Sequence, residues 1–183
     1  MKRRSILLLL FFAASGLPAM PAHADVDENE IPEWAGGTPE SRAWREAAPP
    51  PVAYPKSRDL IPVTGVAGLQ SRVFVDGRQL TRGTDGVVRY LLVFRSPAGA
   101  ESVFHEGMRC GARQWRRYAY GSHGRMHASP TDWRPLSRGH LVRLHRLLYE
   151  TAFCPEGVNP PDAAEMRSRL RSQAATINDL TDE

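Results

Sequence analysis

The chain has 183 residues, with 24 Lys and Arg against 20 Asp and Glu, a formal charge of +4 and two cysteines. Setting aside Lys2, Arg3 and Arg4 leaves 21 basic residues facing 20 acidic ones, so the basic appearance belongs to the front end. The length suits one domain with a sizeable core, and beyond the N-terminus no apolar run is long enough to cross a bilayer.

The first 24 residues read as an export signal. Lys2, Arg3 and Arg4 precede Ile6 to Phe12, an apolar stretch too short to span a membrane, and Ala22-His23-Ala24 supplies the small residues a signal peptidase needs. Cleavage after Ala24 leaves Asp25 to Glu183, 159 residues. The cleavage site lacks a cysteine for lipid attachment, and Arg3-Arg4 lies in a poor twin-arginine context, so ordinary export of an unfolded chain is expected. The expected product is a soluble periplasmic protein.

Residues 25–58 read as an acidic, proline-rich arm or linker. Seven acids between Asp25 and Pro55 face only Arg42 and Arg45, and Pro32, Pro39, Pro49, Pro50, Pro51 and Pro55 resist both helix and sheet. Trp34 and Trp44 are unusual in a free linker and are expected to anchor the arm on the domain.

Residues 59–155 carry the folded α+β domain. From Leu69 onward the period is that of strands: Val73 to Val75 end at Asp76-Gly77, and a second turn follows at Thr84-Asp85-Gly86. Val87 to Arg95, reading VVRYLLVFR, suits a central strand covered on both sides. Ser96-Pro97-Ala98-Gly99 turns the chain into a strand over Glu101 to Cys110, with a bulge expected at Gly107. Ala112 to Tyr120 forms another strand, and Ser122-His123-Gly124 turns it towards Met126 to Ala128.

Pro135 and Ser137 introduce a helix whose Leu141, Leu144, Leu148 and Ala152 recur at helical spacing, and Pro155 stops it. Residues 156–183 form a tail with a short helix that Asp162 caps, Glu165 following three positions later. The fold expected is an antiparallel sheet, a meander of hairpins, with a C-terminal amphipathic helix packed on one face. An even cysteine count in an oxidising compartment pairs Cys110 with Cys154, clamping the helix end to a strand end. Two buried thiols, or half of a metal site, are the alternatives, and no CxxC pair supports the second.

No motif names a reaction. His105, His123 and His127 are the candidates for a metal site, His123 and His127 flanking a turn beside the strand that carries His105. His140 and His145 are five apart and do not share a helical face in the way an i, i+4 pair does. Ser96, Ser122 and Ser129 have turn contexts and no G-x-S-x-G elbow. Glu101, Glu106 and Glu150 have no spacing that demands convergence. No catalytic residue and no cofactor is assigned. Nine arginines lie between Met108 and Leu147 against Asp132 alone. In ARQWRRYAY they interleave with aromatics, which makes Arg113, Trp115, Arg116, Arg117 and Tyr118 candidates for an anionic partner. Simple alternation puts Arg113, Trp115 and Arg117 on one face and Arg116, Tyr118 and Tyr120 on the other. An exported protein rarely meets nucleic acid, so an anionic envelope component or an envelope protein is the expected partner. The plainer reading is a soluble edge strand, or internal pairing with the acidic arm.

At DGVVRYLLVFRSPAGAESVFHEGMRC, QWRRYAYG and LLYETAFCP the sequence resembles the cryptic neisserial protein-like family, small periplasmic or lipoprotein-type envelope proteins without an assigned activity. The likeness runs from Pro55 to Pro155. Gly124-Arg125-Met126 departs from an expected aromatic after the turn, and the helix from Asp162 lies outside the likeness. The resemblance implies periplasmic location and a shared domain, with no catalytic residues to carry over. The expected function is therefore a non-enzymatic binding or scaffolding module of the bacterial cell envelope; the alternative is a hydrolase or metal-dependent enzyme using the histidines. Intact mass of periplasmic material is expected to match a chain beginning at Asp25, and retention of Met1 would refute the export reading.

Overall fold

The computed structural model describes residues 44–66, 68–136 and 143–181, with side chains to residue 175. The chain divides into Met1–Ala43 and Trp44–Glu183, and everything described belongs to the second unit. The export segment, Trp34, Leu141 and His140 lie outside the described residues.

Eight strands form one sheet: β1 (Leu60–Val63), β2 (Arg72–Asp76), β3 (Thr81–Arg82), β4 (Val87–Arg95), β5 (Glu101–Arg109), β6 (Gln114–Ser122), β7 (Arg125–Ala128) and β8 (Arg134–Pro135). Every pairing is antiparallel, in the order β1-β2-β4-β5-β6-β7, with β3 also on β4 and β8 also on β6. Two helices follow, α1 (Arg143–Leu148), extended by a π-helical turn over Tyr149–Phe153, and α2 (Ala163–Thr181). This is the expected α+β antiparallel sheet with a C-terminal helix. β4 has the predicted bounds, and its first seven residues are all buried because neighbours cover both of its faces.

Alternation along β4 divides the core. Val88, Tyr90 and Leu92 face a cluster that holds Val73, Val75, Met108, Leu144, Leu148, Phe153, Met166 and Leu170. Leu91 and Val93 face a smaller cluster with Phe74 and Val103, covered by Val52 and Tyr54 of the N-terminal arm. We call these the helix face and the arm face. Burying each large aliphatic side chain stabilises by roughly 1.5–3 kcal/mol, so most of the hydrophobic stabilisation sits on the helix face.

Several local expectations change. β1, LIPV, lies ahead of Leu69, where the strand period read from the sequence begins; it pairs Ile61 with Val75 and Val63 with Val73. Pro62 is tolerated there because β1 is an edge strand. Pro135 does not open a helix but pairs with Gln114 in β8. The described part of the first helix starts at Arg143. α2 has nineteen residues where a short helix was expected, and the Glu165 N–H donates to Asp162 Oδ1 at 2.8 Å, the predicted cap. The irregularity expected at Gly107 falls between His105 and Glu106, opposite Tyr118 as the extra residue of β6. Gly107 serves a different end: a Cβ there would collide with the Tyr118 ring, which lies across it. β6 is also no edge, since β5 flanks it on one side and β7 and β8 on the other.

Cys110, just past β5, is bonded to Cys154, just past the π-helical turn, with Cα atoms 5.4 Å apart and a sequence separation of 44. Both are buried in the helix-face core. Tyr149 donates to the Gly157 carbonyl at 2.7 Å, with the Cys110 carbonyl 3.2 Å away, tying the segment after the helix to the same strand end. Cys154→Ser is expected to lose about 2–5 kcal/mol in urea unfolding under oxidising conditions. An unchanged midpoint would show that packing alone holds α1.

Candidate functional site

The polar groups with chemical potential lie in two clusters, one on each face of the sheet. On the arm face, one row across three strands reads Arg89, Gly107, Arg116. Arg89 occupies the middle of an otherwise apolar strand with its side chain 2% exposed, a position that demands a counter-charge. Asp85 supplies it in a two-pronged ion pair, with Arg89 Nη2 to Oδ2 at 2.6 Å and Nη1 to Oδ1 at 3.0 Å. Gly83 lies so close to this pair that a Cβ would collide with both partners.

The arm completes the cluster. Glu46 accepts from Arg116 at 2.7 Å, from the Tyr118 hydroxyl at 2.6 Å and from Trp133 Nε1 at 3.2 Å, and lies 3.9 Å from Arg89. The Ala47 carbonyl accepts from Arg89 at 2.7 Å, and the Ala47 N–H donates to Asp85 at 2.8 Å. Trp44 donates to the Asp85 carbonyl at 2.9 Å, meets Trp133 edge-on and carries the Arg109 guanidinium 3.5 Å from its ring centre. Further along, Ala53 and the Gln79 amide exchange hydrogen bonds at 2.7 and 3.1 Å.

This network sets protonation. Burial alone would raise the Asp85 carboxyl, but hydrogen bonds from Arg89, Ala47 and Val87 hold it below its ordinary value of 3.8. Burial and the hydrogen bond to Glu46 push the Tyr118 hydroxyl well up. His105, beside Tyr118 on the same face, falls from 6.5 to about 4 through burial and the nearby Arg89 charge.

On the helix face, Glu106 and His145 form a buried pair at 2.7 Å between β5 and α1. Trp115 stacks on the His145 ring with centroids 3.9 Å apart. Tyr90 is the cross-strand partner of Glu106; burial and the Glu106 charge push its hydroxyl well above the ordinary range. That hydroxyl makes no hydrogen bond of normal geometry among the described residues. Glu, His and Tyr are the residue types of acid–base chemistry, yet the Glu106 and His145 side chains are enclosed.

The sequence-predicted candidates are dispersed. His105 is buried on the arm face. His123 occupies a left-handed turn, φ 50°, with Nδ1 2.7 Å from Ser122 Oγ. His127 stacks on Tyr120, its cross-strand partner, and both lie in the row of Phe104 on the helix face. The three do not converge, and no group of three metal-ligating side chains forms among the described residues. The carboxylates do not converge either: Glu101 pairs with Arg95, Glu106 with His145 and Glu150 with Arg146.

The arginine strand is divided. Arg116 and Tyr118 face the arm and meet Glu46, while Trp115 packs on His145. Arg113 lies over Tyr149 and Arg117 over Phe104 on the helix face. The bulge sends Tyr120 to the helix face, where alternation had placed it with Arg116 and Tyr118. Arg89, Asp85 and Glu46 escaped sequence reading. The arginine inside VVRYLLVFR, four residues after an Asp-Gly turn, was the available signal.

A family model described as the CNP1-like family matches residues 39–171. The chain belongs to the CNP1-like family. The family match takes in Glu46 of the arm and α2 as far as Arg171, which corrects the narrower likeness of 55–155 and the exclusion of the helix after Asp162. The chain is also similar to cryptic neisserial protein 1 of Neisseria gonorrhoeae (strain ATCC 700825 / FA 1090), 27% identical over 192 residues and covering 94% of each chain. No solved structure matches it. Neither name states an activity.

His105 makes stability pH-dependent in this CNP1-like protein. The unfolded chain takes up the histidine proton near 6.5 and the native state only near 4, so stability is full above 6.5 and falls as pH drops towards 4. The slope from this one group approaches about 1.4 kcal/mol per pH unit. Urea midpoints at pH 7.5 and pH 4.5 are expected to differ less in His105→Gln than in the wild type. Equal differences would show that His105 does not carry the effect.

Proposed function

We propose that the protein is a non-enzymatic binding module of the bacterial cell envelope, acting in the periplasm after loss of residues 1–24. The observation that carries this reading is the enclosure of the helix-face pair. Glu106 and His145 side chains are 5% and 8% exposed, and Trp115 stacks over the imidazole. Clefts beside Arg58, Trp44, Leu69 and Leu147 are lined by neither of them, nor by Tyr90. A general acid or base needs hydrogen-bond reach to a substrate, which such burial denies.

Export rests on the basic, apolar and Ala-x-Ala succession at the front of the chain. The Cys110–Cys154 bond supports it, since disulfides persist in oxidising compartments. No helix among the described residues is long and apolar enough to cross a membrane. A rigid sheet, clamped by the disulfide and braced by the arm, suits the display of fixed charge. The partner we favour is an anionic envelope component. Of the strand first considered for it, Arg113 and Arg117 remain without a carboxylate partner among the described residues.

The mature protein is expected to be retained on a phosphate-bearing resin at low salt and released as salt screens exposed charge over about 8 Å. Arg113→Ala with Arg117→Ala should elute earlier at an unchanged melting temperature. Turnover of ester, phosphoester or peptide substrates that disappears in Glu106→Gln would overturn the non-enzymatic reading.

A further inference from the structure

A cleft of about 500 Å³ opens between the β1 start, the turn after β2 and one face of α2, and four arginines line it: Arg58, Arg78, Arg167 and Arg171. Asp59 is the one acid in the lining, and among the described residues its carboxylate pairs only with Arg58, at 4.0 Å. Arg78, Arg167 and Arg171 make no ion pair among the described residues. Elsewhere on α2 the helix does provide a partner: Arg169 is held by Glu165 at 2.7 Å. The contrast lies within five residues of one helix.

Backbone geometry holds the cationic groups together. The Gly77 N–H donates to the Asp59 carbonyl at 2.9 Å, pinning the turn beside Arg58. The Gly77 carbonyl accepts from Arg167 Nη1 at 3.3 Å, so the same residue also ties α2 to the turn. Arg78 follows in a turn fixed by its own N–H to buried Asp76 at 2.8 Å. Arg167 and Arg171 are four apart, so they project from the same face of α2, where like charges repel. Three elements therefore bring like charges to one concavity, and a concave wall of one sign focuses potential and concentrates counter-ions.

We propose that this cleft is a binding site for a phosphate group carrying at least two negative charges, a monoester or a diphosphate. The site names a ligand class for the binding-module reading and rests on it. Guanidinium forks match phosphate oxygens in pairs, and four forks exceed what one singly charged carboxylate can satisfy. The volume leaves room for two phosphates side by side. The bearer is either a soluble phosphate compound or a lipid headgroup.

Calorimetric titration of the mature protein with inorganic pyrophosphate tests the soluble source, and co-sedimentation with phosphatidylcholine vesicles containing phosphatidic acid tests the headgroup. Binding in either arm is expected to weaken with added salt and to fall at least tenfold in the double variant Arg78→Ala, Arg171→Ala, both exposed side chains whose loss leaves the backbone ties intact. Arg169→Ala, which removes an arginine already held by Glu165, should bind as the wild type does. Absence of binding in both arms, or binding that survives the cleft variant, overturns the site while leaving the non-enzymatic reading in place. Release of orthophosphate from pyrophosphate that the cleft variant abolishes confirms the site and overturns the non-enzymatic reading instead.

Discussion

A guanidinium buried at the centre of a sheet is the constraint on which the arm face depends. Arg89 cannot shed its charge, so the fold must surround it with acceptors or bear a cost of several kcal/mol. Asp85 is delivered by the tight turn before β4, which requires Gly83 to lack a side chain. Arg89 Nη2 also donates to a backbone carbonyl of the arm, and the arm brings Glu46 with it. Glu46 in turn holds Arg116 and Tyr118, and the Tyr118 ring can reach it only by crossing a residue without a Cβ, Gly107. The segment 44–54 is thus part of the folded structure although it forms neither helix nor strand.

The opposite face is held by different means. Apolar contact dominates, with the disulfide and the Tyr149 hydroxyl fastening the helix end to the end of β5. The Glu106–His145 pair is the polar exception, and its position between sheet and helix fixes how α1 lies against β5. Removing either partner would strand the other in the core, and pairs of this kind serve orientation more than stability. Trp115 covers the pair, and one aromatic of the arginine-rich strand is thereby taken into packing against the helix.

What could be read from the sequence follows from which signals are local. β4, the hairpin turns at residues 84–86, 96–99 and 122–124 and the Asp162 cap are written in neighbouring residues and appear where expected, whereas Asp76-Gly77 ends β2 without joining it to β3. The cysteine pairing was legible because two cysteines allow a single intramolecular pairing. β1 was not: LIPV follows a proline-rich stretch and becomes a strand only through β2, since tertiary pairing overrides weak propensity. The bulge at Tyr118 was equally hidden, because an extra residue in one strand exists only relative to its partner. It reversed the face of Tyr120. The ion cluster stayed invisible for the same reason, Glu46 and Arg89 being 43 positions apart with nothing local to join them.

The two halves of the charge pattern resolve differently, and that difference bears on function. Acidic charge of the arm does meet the arginine-rich strand, and among the described residues it does so through Glu46, where Arg116 faces it. Among the described residues internal pairing therefore holds for Arg116, while Arg113 lies over Tyr149 and Arg117 over Phe104 with no carboxylate partner. Cation–aromatic contact orients those two guanidinium groups without neutralising them, so they keep their attraction for external anions. Among the described residues the arm therefore supplies acceptors to Arg89 and Arg116, the arginines the arm face encloses, and none to Arg113 or Arg117.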